Sequence, residues 1–159
     1  MCDLGVDVII GGHPHVIQPV EMLTSTEDPS HQTFCVYSTG NALSNQRAAN
    51  MRLDTGHTED GMLASVTFVK YSNGIVALES AEILPTWLNI YDGSYEILPL
   101  DKNLSDWKSA FGISDWYYDM ACASYDRTME LIGEGMENAA SILEGNKRSR
   151  ELEMDVSFG

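Results

Sequence analysis

Basic residues are scarce in this 159-residue chain: nine Lys and Arg stand against 24 Asp and Glu, for a formal net charge of −15. Such a surface repels a phosphate backbone, which argues against general nucleic-acid binding. Cysteine is also scarce. Cys2, Cys35 and Cys122 lie far apart with no Cys-x-x-Cys pair, so neither a disulfide framework nor a zinc ribbon is expected, and the redox compartment stays open. No run of about 18 apolar residues occurs, so no membrane span is expected. The opening "MCDLGVDVIIGG" has neither the basic start nor the long apolar stretch of a secretory signal, and Cys2 follows only Met1, so it is not read as a lipidated cysteine. There is no internal repeat and no low-complexity tract.

What is present is globular. A hydrophobic fraction of 43% can supply a core, and the length fits one domain. "VDVII" (Val6 to Ile10), closed by Gly11-Gly12, has the pattern of a strand covered on both faces. "QTFCVYST" (Gln32 to Thr39) is a second β-rich run, and "TSTEDPSH" between them reads as a polar loop. Residues 44–61 are polar and aperiodic, a loop long enough to be functional or mobile. From Met62 to Leu84 two β-rich runs flank Ser72-Asn73-Gly74, where Asn-Gly supplies the positive φ angles of a hairpin turn. Pro85 is expected to end the second of these strands. "SYEILPL" (Ser94 to Leu100) adds a short strand.

From Ser114 the period changes. Tyr118, Cys122, Tyr125, Met129, Ile132, Met136, Ala139 and Leu143 form one apolar stripe at helical spacing, packed on its own domain rather than in a coiled coil. Ser114 suits an N-cap and Asp115 the positive helix end, while Gly133 and Gly135 weaken or bend the helix. The expected fold is therefore α/β: a mixed β-sheet, a prominent β-hairpin and a C-terminal amphipathic helix. Residues 1–145 are assigned to the domain and 146–159 to a flexible tail.

The chemistry-bearing stretch is "GGHPHVIQPVE". His13 and His15 are two apart, so on extended backbone both rings project from one face, and Pro14 favours that backbone at His13. Gly11 and Gly12 permit a sharp turn and close backbone approach. The rings then sit beyond the carboxyl end of a strand, where α/β proteins bind ligands. Two imidazoles do not complete a metal site, so spacing alone leaves a metal-ligand pair and an inert surface turn as alternatives.

"GVDVIIGGHPHVIQPVE", followed by Tyr37-Ser38-Thr39-Gly40-Asn41 and Ser44-Asn45-Gln46-Arg47, resembles the CapA family of capsule and poly-γ-glutamate synthesis proteins, of the calcineurin-like metallophosphoesterase superfamily. "ILPTWL" and "YEILPL" extend the likeness, which covers roughly residues 3 to 135. The resemblance implies a divalent metal pair, with His13 on one metal and His15 on the other. Such a pair would polarise a phosphoryl oxygen and supply hydroxide near neutral pH. It also implies pocket-shaping roles for Tyr37 and Asn41; Glu21 reads either as a support for an imidazole N–H or as an ordinary exposed carboxylate. An anionic polymer or a phosphorylated small molecule is the implied substrate. The implied location is extracytoplasmic or membrane-associated, through an N-terminal anchor outside this sequence.

The family's upstream blocks, Asp-x-His, Gly-Asp and an Asn-His-Asp/Glu-like run, are not found. "DPSH" and "DTGH" have the wrong spacing. The chain thus reads as the carboxyl-terminal part of a CapA-like domain that lacks half of its metal ligands and is inactive alone; its strand edges and incomplete site leave oligomerisation open. A non-catalytic scaffold or polymer-handling module and a generic phosphoesterase are the other readings. Asp54, His57, Glu59 and Asp60 are a tempting cluster, weighed against a solvated loop. His31 is discounted as a ligand, Cys35 reads as a small core residue, and Trp87 reads as a packing anchor.

Overall fold

The computed structural model describes residues 1–90, 93–101, 104–110 and 112–156. The first sheet contains β1 (Val8–Ile10), β2 (Val20–Thr24) and β3 (Gln32–Val36) in the order β1-β3-β2. β1 runs parallel to β3, and β2 antiparallel to it. β3 is central, and Thr33 to Val36 are all buried. β2 is a strand the sequence reading missed. It starts directly after Pro19, as proline permits at a strand entry, and runs from buried Val20 to exposed Glu21 and half-buried Met22. β1 differs from expectation. Among the described residues it is an edge strand with β3 as its one sheet neighbour, so Val8 and Ile9 are half-buried and Ile10 is 51% exposed.

A four-residue helix, α1 (Ala48–Met51), interrupts the long polar loop. β4 (Asp60–Lys70), β5 (Val76–Asn89) and β6 (Glu96–Pro99) then form an antiparallel sheet in the order β4-β5-β6. The hairpin is as expected but its turn is not. Gly74 alone has positive φ, at 90°. The Tyr71 N–H donates to Ile75 O and the Gly74 N–H to Tyr71 O, a three-residue turn with glycine at its last position. Pro85 does not end β5, which continues to Asn89. Its carbonyl accepts the Leu100 N–H at 2.7 Å, so its nitrogen faces β6 where pairing begins only at Thr86↔Pro99, and no ladder donor is missed.

The sheets are joined where Gly40 pairs with Gly61. A side chain on Gly40, at φ 77°, would lie 2.5 Å from the Asp60 carbonyl, and one on Gly61 2.5 Å from that of Asn41. Only paired glycines allow this seam.

Helix α2 (Leu104–Ala110), which the sequence reading did not identify, precedes α3 (Asp115–Val156). Ser114 Oγ accepts the Tyr117 N–H at 3.4 Å, in line with its expected capping role. The apolar stripe is rotated in its first half: Ala121, Ser124 and Thr128 are buried, while Tyr118, Cys122, Tyr125 and Met129 flank them; from Ile132 onward the expected positions face the core. Small residues win the contact face because α3 lies close to the strands. Gly135 marks that closeness, since a Cβ there would sit 1.8 Å from the Val20 carbonyl, whereas a Cβ on Gly133 would meet nothing within 4 Å. Gly135 is a contact requirement rather than a bend.

One core joins both sheets to α3 through Ile17, Val20, Phe34, Met62, Ile132 and Leu143. A second gathers Trp87, Leu98, Leu100, Ile113 and Ala121. Trp87 is wholly buried and Cys35 nearly so, as expected of core residues. The expected tail is helical from 146 to 156, because Asn146 donates to Gln32 Oε1 at 2.9 Å and Arg150 reaches Tyr71. Residues 157–159 lie outside the described residues. Among the described residues, no helix is long and apolar enough to cross a membrane.

Candidate functional site

The parallel pairing of β1 and β3 places their carboxyl ends at one edge of the first sheet, and two segments leave from that edge. Gly11 to Val16 follows β1 and Tyr37 to Asn41 follows β3. Backbone hydrogen bonds bind them together: Gly11 N–H to Val36 O at 2.7 Å, Thr39 N–H to Gly11 O at 3.2 Å, and Gln18 N–H to Ser38 O at 3.2 Å. Gly11 is a contact requirement, because a Cβ would lie 2.1 Å from Tyr37 O, whereas Gly12 has open space.

His13 and His15 are not on extended backbone. Their φ angles are 97° and 57°, so the segment is a turn with two non-glycine residues in the left-handed half of conformational space, each at a cost of order 1–3 kcal/mol. Proline's preference at the preceding residue is overridden at His13 by closure of this turn. His13 is exposed and His15 half-buried. The imidazoles share one short loop at the carboxyl edge of the sheet, on a backbone different from the extended one expected.

Glu21 and Tyr37 face each other across β2 and the loop: the Tyr37 hydroxyl donates to Glu21 Oε2 at 3.0 Å. That bond, chiefly, holds the Tyr37 hydroxyl above its ordinary pKa. Burial, with Glu21's charge second, pushes the Cys35 thiol up as well, which makes it a poor nucleophile at neutral pH. Asn41 is buried. Its Nδ2 donates to the carbonyls of Thr58, Ser44 and Gln46 at 2.7, 3.2 and 3.2 Å, and its Oδ1 accepts the Ser44 N–H at 2.8 Å. It therefore pins the 44–58 loop to the carboxyl edge of the sheet.

That loop is less solvated than its composition suggests. Thr58, Glu59 and Asp60 are buried at 4%, 0% and 2% exposure, whereas Asp54 and His57 are exposed. Glu59 Oε1 accepts the Ala48 N–H at 2.9 Å. Arg127 donates through Nε and Nη2 to the two Asp60 oxygens at 2.9 and 2.7 Å, and this pairing raises its pKa. His57 Nδ1 lies 3.7 Å from Asp60 Oδ2. His31 Nε2 lies 3.2 Å from the Val6 carbonyl, which is a hydrogen bond and not a ligand position. Sequence spacing gave no sign of the Asp60–Arg127 pair, which is 67 residues apart. Among the described residues, no three His, Cys, Asp or Glu side chains stand together as a metal-holding group.

The molecule is thus an α/β chain with a two-histidine loop at the carboxyl edge of a parallel strand pair. Residues 1–46 match the family model of bacterial capsule synthesis protein PGA_cap. The matched segment holds the whole first sheet, the histidine loop, Glu21, Tyr37 and Asn41. No curated protein and no solved structure matches the chain.

Proposed function

We propose that this chain is the carboxyl-terminal portion of a CapA-like capsule or poly-γ-glutamate synthesis protein on a metallophosphoesterase-type fold, with His13 and His15 as half of a two-metal site. The carrying observation is the capsule-synthesis match over residues 1–46, which falls on the segment that places both imidazoles at the strands' carboxyl edge. The family reading assigns an anionic polymer or phosphorylated substrate and a location outside the cytoplasm or at its membrane.

The described residues do not complete a metal centre. Two imidazoles on one turn fall short of the three or four protein ligands such sites use, and no further ligating group of three stands together among the described residues. We therefore assign no catalytic step to this chain alone. The same observation favours a second reading, a non-catalytic polymer-handling module in which the histidines hold no metal.

Metal content of the purified chain and of a His13→Ala/His15→Ala double variant tests the proposal. Weak, substoichiometric binding that the double variant abolishes is expected. Stoichiometric metal together with phosphoester turnover would overturn the half-site, since the chain would then complete its own centre. Indistinguishable metal content and chelator-insensitive melting in both proteins would favour the scaffold, because a ligand held only by the folded state raises stability.

A further inference from the structure

Between the 44–61 loop and α3 lies a cavity of about 240 Å³ lined by Leu53, Asp54, Glu59, Met120, Ala123 and Arg127. It uses neither His13 nor His15. At roughly 30 Å³ per water it holds about eight waters' volume, below the range of drug-sized sites, a size suited to a small metabolite.

Arg127 sets its chemistry. Asp60 takes the Nε and Nη2 donors, which fixes the guanidinium plane and leaves Nη1 without a partner among the described residues. Gly56 lies against that plane, where a Cβ would come within 2.7 Å of Nη2. A rigid arginine edge presenting a donor is suited to a carboxylate. The surroundings are also acidic: Asp60 pairs with one edge of Arg127, and Asp54 and Glu59 add two carboxylates to the cavity wall. A simple anion would meet those charges, and a simple cation would meet the guanidinium. A molecule carrying both signs satisfies both. Leu53, Met120 and Ala123 supply an apolar wall for a short aliphatic group.

We propose that this cavity binds a small zwitterion, an α-amino acid with a short aliphatic side chain. Its carboxylate lies on Arg127 Nη1, its ammonium group toward Asp54, and its side chain against Leu53, Met120 and Ala123. This explains why the loop is tied down by Asn41 and Glu59 when a plain connector of its length would not be. The assignment is independent of the metal reading.

L-Leucine titrated into the full chain by calorimetry tests it, beside 4-methylpentanoate, which lacks the ammonium, and 3-methylbutylamine, which lacks the carboxylate. Leucine is expected to bind saturably, with each analogue at least about tenfold weaker. Asp54→Asn should close much of the gap between leucine and the acid. Leu53→Trp, at an exposed position where the fold tolerates change, should fill the cavity and abolish binding. Absence of saturation by about 10 mM, an analogue that binds as well as leucine, or full affinity in the Leu53→Trp variant would each overturn the proposal.

Discussion

The first sheet and the hairpin–helix unit are built on different terms. The first has strands of three to five residues and an edge strand that leaves Ile10 half in water. Its histidine loop carries two residues in left-handed backbone. The second has strands of 11 and 14 residues in near-continuous register and a wholly buried Trp87. The family match falls on the first. Recognisable chemistry and secure packing are therefore held in different parts of one chain, and the first depends on α3 for its cover.

Replacing a large side chain on either side should sharpen this contrast most. Trp87→Ala is expected to lose about 3–5 kcal/mol in urea unfolding, while Ile10→Ala on the edge strand stays within about 0.5 kcal/mol. Equal losses would erase the distinction. Next comes a pair of identical substitutions two residues apart on α3. Gly135→Ala must push the helix off Val20 and should destabilise by about 1–3 kcal/mol. Gly133→Ala has open space and should stabilise by about 0.8–1 kcal/mol. Like signs would mean that contact with the first sheet is not what requires glycine.

Smaller still, His13→Gly should gain about 1 kcal/mol by relieving the left-handed backbone while removing an imidazole; thermal melting checks this. A loss would mean that the ring contributes more than its backbone costs. The smallest effect concerns Asp3, which accepts the Ser25 hydroxyl and the Thr26 N–H at 2.9 and 2.6 Å. These bonds, the Thr26 backbone bond first, lower its pKa below the ordinary value. A carboxylate with a depressed folded pKa stabilises above its unfolded pKa, and the contribution is lost as pH falls through the folded value. Asp3→Asn should therefore be less stable than the parent at pH 7, with the difference shrinking as pH falls below the ordinary carboxylate range.

Periodicity made much of this legible. β1, β3, β6, the hairpin and the long helix were readable because their apolar residues repeat at the spacing of the element, and Trp87 and Cys35 were readable as core. β2 was missed because its five residues sit in the shadow of the histidine motif and Pro19. The rotated stripe on α3 was invisible because Ser124, Thr128 and Gly135 are chosen for closeness, not hydrophobicity. The buried Asp60–Arg127 pair had no local signature: "DTGHTEDG" looks solvated until a helix 67 residues later supplies the arginine. The histidines were legible as a pair at a strand end, but their backbone was not, since turn closure overrode Pro14's influence.

The close approach of Gly135 to Val20 also sets a schedule. The residue that covers β2 is made about 115 residues after it. At roughly 5–20 residues per second of synthesis, β2 waits about 6 to 23 s for its cover. During that interval a nascent chain holds the histidine loop and the open β1 edge with nothing from α3 against them. Anything that shields a strand edge briefly, such as a holding chaperone, should raise the yield of folded chain most when translation is slow.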